Sequence, residues 1–114
     1  MSLPEECIQR QVQVFKALGH ETRARIIAIL ADEGEKHVTE LVERLGFDQS
    51  TISRHLGVLK ASGIVDSRKE GLNVVYRLAM PCVRQFMKCL EATCSHNGTG
   101  AECILRHETN RVMV

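Results

Sequence analysis

Between residues 38 and 60, in VTELVERLGFDQSTISRHLGVLK, two short runs of helical period meet at Gly46-Phe47-Asp48. The first places Leu41, Val42 and Leu45 on one side, with Thr39 as its expected N-cap. It stops at a glycine suited to the left-handed conformation that closes helices. The second opens behind Asp48, an acceptor able to cap free N–H groups, and sets Ile52, Leu56 and Leu59 at i, i+4 and i+7. Helices this short are not stable alone, so across so tight a break they must pack on each other. That is the layout of a helix-turn-helix, in which one helix braces a second that enters the DNA major groove. Away from its apolar stripe the second helix offers Gln49, Ser50, Thr51, Ser53 and Arg54 at the end that meets base edges. Glutamine pairs with adenine and arginine with guanine through two hydrogen bonds, each pair worth about 1–3 kcal/mol of discrimination. His55 is placed to touch phosphate or to pack beside Leu56.

A net charge of only +1 is a weak argument for nucleic acid, but its distribution is informative. Residues 44–77 carry six Lys/Arg against three Asp/Glu, whereas residues 1–43 carry five against eight. The basic excess coincides with the reading helix and the segment after it, where phosphate contact would be made. With 114 residues, 44% hydrophobic and 25% charged, the chain has the length and composition of one globular domain. No apolar run is long enough to span a bilayer, and five cysteines without a leader-like N-terminus suggest reduced thiols in the cytoplasm.

The remaining chain supplies a frame. Helices are expected over Glu5–Leu18, with Val12, Phe15 and Leu18 on one side, and over residues 21–31, with Ile26, Ile27, Ile29 and Leu30. The reading helix should run over residues 49–62 and end at Gly63. Strands are expected over residues 64–69 and 73–78, joined through Glu70-Gly71-Leu72 as a hairpin with Arg68 and Lys69 near its tip. Pro81 suits the first turn of a last helix lined by Val83, Phe86, Met87 and Leu90. The expected fold is mainly α with a β-hairpin wing, a winged helix-turn-helix over residues 1–93. Residues 94–114 form a small, polar, cysteine-containing tail expected to be mobile.

Three stretches in order resemble one family. Phe15-Lys16-Ala17-Leu18-Gly19-His20-Glu21-Thr22-Arg23-Ala24-Arg25-Ile26 is similar to the opening of the ArsR/SmtB family of bacterial metal-responsive repressors. Gln49-Ser50-Thr51-Ile52-Ser53-Arg54-His55-Leu56 and Val74-Val75-Tyr76-Arg77-Leu78 resemble its reading helix and second wing strand. Gly57 departs from the pattern, which usually has a longer, often basic residue there. The resemblance implies a repressor that binds double-stranded operator DNA as a homodimer through its first and last helices. A twofold dimer also answers a physical need, since one helix reads too few base pairs.

The resemblance also implies an inducer, but not at the family's best-known site. Arsenic-responsive members carry Cys-x-Cys at the start of the brace helix, where this chain reads Lys36-His37-Val38-Thr39-Glu40. The cysteines here are Cys7, Cys82, Cys89, Cys94 and Cys103. Trivalent arsenic or antimony suits three closely spaced thiolates. Cys82 and Cys89 are about 10 Å apart along a helix at about 1.5 Å per residue, too far to share an ion. A Cys89–Cys94–Cys103 site closes if the last helical turn unwinds, and some relatives carry cysteines in this region. Competing sets exist. Cys94, His96, Cys103 and His107 offer zinc or cadmium a Cys2His2 group. Cys82 and His96 stand near the places where zinc-sensing relatives put ligands, although a carboxylate position is occupied by Met80. Cys82 and Cys89 can also be read as small buried hydrophobes. The expected function is a repressor released by arsenite or antimonite, the alternatives being thiol-redox or persulfide response and zinc or cadmium response. No phosphate loop, paired-carboxylate site or nucleophile constellation points to an enzyme.

Overall fold

The computed structural model describes residues 3–95. Cys103, His96 and His107, and with them most of the proposed tail, lie outside the described residues. The chain divides into two compact units, Met1–Pro81 and Cys82–Val114.

In the first unit the elements run α1 (Glu5–Leu18), α2 (Glu21–Glu33), β1 (Lys36–His37), α3 (Val38–Leu45), α4 (Gln49–Ala61), β2 (Val65–Glu70) and β3 (Asn73–Leu78). The helical periods expected from the sequence are realised in the core. Ile26, Ile27, Leu41, Ile52, Leu56, Leu59 and Ile64 are all fully buried. α3 ends where Gly46 takes φ 81° and ψ 8°, and its N–H bonds back to the Val42 carbonyl. A β-carbon would clash with the backbone in that left-handed conformation, so glycine holds the turn at least cost.

Two local expectations are corrected. Helix α3 starts one residue before Thr39, with His37 as its N-cap. The His37 N–H donates to Glu40 Oε1 at 2.8 Å, so the carboxylate three residues on satisfies it. The wing is also more than a hairpin. β1, β3 and β2 form an antiparallel sheet in that order, with β3 central. Lys36 faces Tyr76 and His37 faces Val75 across β1 and β3. A two-residue strand has no periodicity to read, and it exists only because β3 offers a free edge.

The hairpin closes through Gly71 and Leu72, between the paired Glu70 and Asn73. Gly71 has φ 65°, the positive value that a tight two-residue hairpin turn requires at its first position.

The described part of the second unit is one helix, α5 (Pro81–Ser95). Val83 is buried, whereas Phe86 and Leu90 are 44% and 46% exposed. The helix continues through Ser95, so Cys94 is helical, whereas the sequence suggested fraying from about residue 93. Cys82 and Cys89 are exposed in the protomer, not part of its core.

Candidate nucleic-acid interface

The reading helix is built by three constraints that act together. Asp48 Oδ1 accepts the Thr51 N–H at 2.8 Å and the Ser50 hydroxyl at 3.1 Å, closing the helix N-terminus. The Thr51 hydroxyl and N–H, followed by the Ser50 hydroxyl, hold the Asp48 carboxyl below its ordinary range. Ile52, Leu56 and Leu59 then anchor one side in the core. With those three positions fixed, the rotation of α4 is fixed. Gln49, Ser50, Ser53 and Arg54 are left exposed, and Thr51 and His55 half-buried.

The exposed four form a donor-rich surface at the first turns of α4. Arg54 has no ion-pair partner among the described residues, so its guanidinium keeps its donors for a ligand. Thr51 spends its N–H on the cap. His55 turns toward the protein, its ring 4.5 Å from that of His20 at a tilt of 51°. Burial, then the charges of His20, Arg23 and Arg54, pushes the His55 pKa down. Packing against His20 is therefore the geometry His55 adopts in the protomer.

His20 is the residue that reading the sequence left without a role. Its Nδ1 accepts the Thr22 N–H at 3.1 Å, capping α2, while its ring meets α4. A histidine one residue before Glu21-Thr22 sits where an N-cap belongs, but nothing local announces the contact with His55.

The wing departs from expectation at one cation. Arg68 and Lys69 sit within β2, opposite Val75 and Val74, and Gly71-Leu72 is the tip. The Arg68 guanidinium grips Glu35 with two 2.8 Å hydrogen bonds and Glu70 with one of 2.9 Å. These carboxylates raise the Arg68 pKa, and Arg68 in turn lowers that of Glu35. So engaged, Arg68 fastens the strand to the segment before β1. Lys69 is exposed and has no salt bridge among the described residues, so it is the wing cation available to phosphate.

A similar clamp steadies the brace helix. Glu33, closing α2, meets Arg44 of α3 at 2.7 Å and Lys36 of β1 at 3.3 Å. Arg44 first and Lys36 second draw its pKa down to about 2. Exposed pairs of this kind add little stability singly, but they fix where the elements meet.

The thiols do not gather in the same way. No group of three His, Cys, Asp or Glu side chains able to hold a metal ion occurs among the described residues. Cys89 and Cys94 stand five residues apart on a continuous helix, about 7.5 Å along its axis and about 140° around it at 3.6 residues per turn. Cys82 and Cys89 share a face but remain about two turns apart.

Comparison with known proteins agrees with this arrangement. The sequence profile of bacterial regulatory proteins of the arsR family matches residues 20–67. The HTH-type transcriptional regulator MJ1325 of Methanocaldococcus jannaschii is 36% identical over 86 residues, 75% of this chain and 97% of that protein. The arsenical resistance operon repressor of Escherichia coli is 44% identical over 68 residues, 60% of this chain and 58% of the repressor. Among solved structures, the homodimeric winged helix-turn-helix DNA-binding domain Mb0332 of Mycobacterium bovis superposes with a TM-score of 0.73. Its identity is 28%, over 81% of this chain and 84% of that one. No described helix is long and apolar enough to cross a membrane. With its capped reading helix, three-stranded wing and these relatives, the chain belongs to the arsR family of bacterial regulatory proteins, DNA-binding transcriptional repressors rather than enzymes.

Proposed function

We propose that the protein acts in the cytoplasm as a homodimeric repressor that leaves its operator when a thiophilic metal(loid), arsenite or antimonite, binds cysteines of α5 and the residues beyond it. The exposure of three thiols, Cys82, Cys89 and Cys94, along one helix is the observation that carries this reading. Solvent-exposed cysteines are available as soft donors in a way that core cysteines are not. The Escherichia coli relative, named for arsenical resistance, supports the same class of inducer.

The dimer is supported by apolar surface. α1 exposes Ile8, Val12 and Phe15, and α5 exposes Phe86 and Leu90. A second copy covering these faces would place two reading helices on two half-sites about one DNA turn apart. In each half-site Gln49, Ser50, Ser53 and Arg54 would meet base edges, with Thr51 and His55 set behind them. Lys69, and Arg68 where its carboxylates release it, would meet the backbone.

The inducer site requires a change of shape. An intact α5 points Cys89 and Cys94 to different sides, so a shared ion would unwind the last turn and recruit Cys103. That cost is what would make ligand binding felt along α5. A coupling of about 1–3 kcal/mol, typical of such switches, would loosen DNA binding about 5–150-fold.

The test is fluorescence anisotropy on an operator fragment selected by the protein from random DNA. Arsenite should release the wild type and leave a Cys94→Ser/Cys103→Ser variant bound. Equal release of both proteins would remove these cysteines from the inducer site. Titrating zinc and cadmium in parallel identifies a tetrahedral site instead. Release by oxidant or persulfide with a covalent mass change would assign the switch to thiol redox chemistry.

A further inference from the structure

On the first unit, α1, α2 and α4 border an open cleft of about 410 Å³ lined by Gln13, Lys16, Ala17, Arg23, Val58, Ala61 and Ser62. The chemistry of this lining is uneven. Ala17, Val58 and Ala61 make an apolar floor, whereas Lys16 and Arg23 bring two positive charges and no acidic side chain lines the cleft. Arg23 Nε is buried and has no hydrogen-bond partner, and it is the one buried side-chain nitrogen or oxygen in that state among the described residues. Buried donors are nearly always paired, because an unmade hydrogen bond forfeits the water it replaced. Neither Lys16 nor Arg23 has a carboxylate partner among the described residues. Arg23 Nε is too enclosed for a ligand to reach, so what the cleft itself offers is two positive charges without a counter-charge.

We propose that this cleft binds a small organic carboxylate with an apolar body. Its carboxylate would supply the missing counter-charge between Arg23 and Lys16, and its hydrocarbon would lie over Ala17, Val58 and Ala61. Guanidinium and carboxylate match in shape and charge, and the volume falls within the usual range for small-molecule pockets, about 300–1,000 Å³. A bare inorganic anion would leave the apolar floor wet, and a neutral hydrocarbon would leave Arg23 unpaired. A DNA phosphate is a poor candidate. The α4 residues of the cleft, Val58, Ala61 and Ser62, follow the Asp48 cap by ten to fourteen residues, about 15–21 Å along the helix at about 1.5 Å per residue. The α4 side of the cleft thus lies beyond its base-reading turns. The proposal is independent of the metal(loid) reading, since it uses none of the cysteines.

The experiment uses the full chain, labelled with nitrogen-15 and free of DNA. Octanoate, octanol and inorganic phosphate are each titrated while amide shifts are followed. Octanoate should give saturable shifts centred on Gln13, Ala17, Val58 and Ala61, with octanol and phosphate at least tenfold weaker. Arg23→Gln and Lys16→Gln should each weaken octanoate at least fivefold, and Ala61→Leu, which fills the cleft from an exposed position, should block it. Lys16 and Ala61 are exposed, so those two variants remain informative even where Arg23→Gln unfolds. Octanol binding as well as octanoate would overturn the proposal, as would phosphate binding equally, which would mean an adventitious ion only. Shifts centred on Ile8, Val12 and Phe15, or none that saturate, would overturn it too.

Discussion

Helices α4 and α5 both carry the side chains on which function turns, yet they are held in opposite ways. α4 has a side-chain cap at Asp48, three fully buried anchors, and an outward face of short polar groups. α5 buries Val83 and leaves Phe86, Leu90 and three thiols exposed. A reading surface has to be rigid, because a donor displaced by an ångström misses its base. A sensing element has to be able to change, because a ligand shifts an equilibrium only where two states compete. The contrast fits the proposed division, with reading on the over-determined helix and sensing on the less constrained one.

The largest effect expected from breaking this contrast is at Arg54. Arg54→Ala should cost about 2–6 kcal/mol of operator binding over two half-sites, at about 1–3 kcal/mol for each bidentate contact. The circular dichroism spectrum and the sedimentation of the protein should be unchanged. Tight, sequence-specific anisotropy from that variant would mean the reading face is misassigned.

Next comes the buried side of the same helix. Leu56→Ala should lower unfolding free energy by about 2–5 kcal/mol in a urea titration, because it opens a cavity in a fully buried site. Leu90→Ala, on the exposed face of α5, should cost the isolated protomer far less but weaken self-association. Similar losses of protomer stability at both positions would erase the distinction between the two helices.

The wing gives a smaller, sharper contrast. Lys69→Ala should weaken binding to all DNA sequences alike and flatten the plot of log affinity against log salt by about 0.9 for each phosphate left unneutralised. Arg68→Ala should leave that slope nearly unchanged while loosening the wing, seen as faster amide exchange in β1 and β2. Reversed slopes would show that Arg68 leaves Glu35 and Glu70 for DNA.

The smallest effect has the opposite sign. A β-carbon at Gly57 would meet no atom within 4 Å, so Gly57→Ala should stabilise the fold by up to about 1 kcal/mol through helix propensity. Weaker operator binding in that stabilised variant would mean that DNA approaches the α4 backbone at this point. Unchanged binding would make the glycine a plain cost in helix stability.

The sequence by itself determined the five helices, the hairpin and which side of α4 stays exposed. Helix periods, the glycine stop at Gly46, the Asp48 cap and the hairpin at Gly71 are each written within a few neighbouring residues, so they need no knowledge of the fold. The polar run from Gln49 to Arg54 was legible for the same reason, because the apolar stripe beside it fixes which way it faces. Only the tertiary structure decided the partners. β1 exists by pairing with a strand nearly forty residues later, and Arg68 is claimed by Glu35 across 33 positions. His55 is drawn inward by His20, and Arg23 is left with a buried donor and an open cleft. Those pairings depend on which surfaces meet after the core closes, and local pattern carries no record of that. The tertiary structure likewise turned Cys82 and Cys89 from candidate core residues into exposed thiols. A helix period says which residues share a face, but not whether anything covers it.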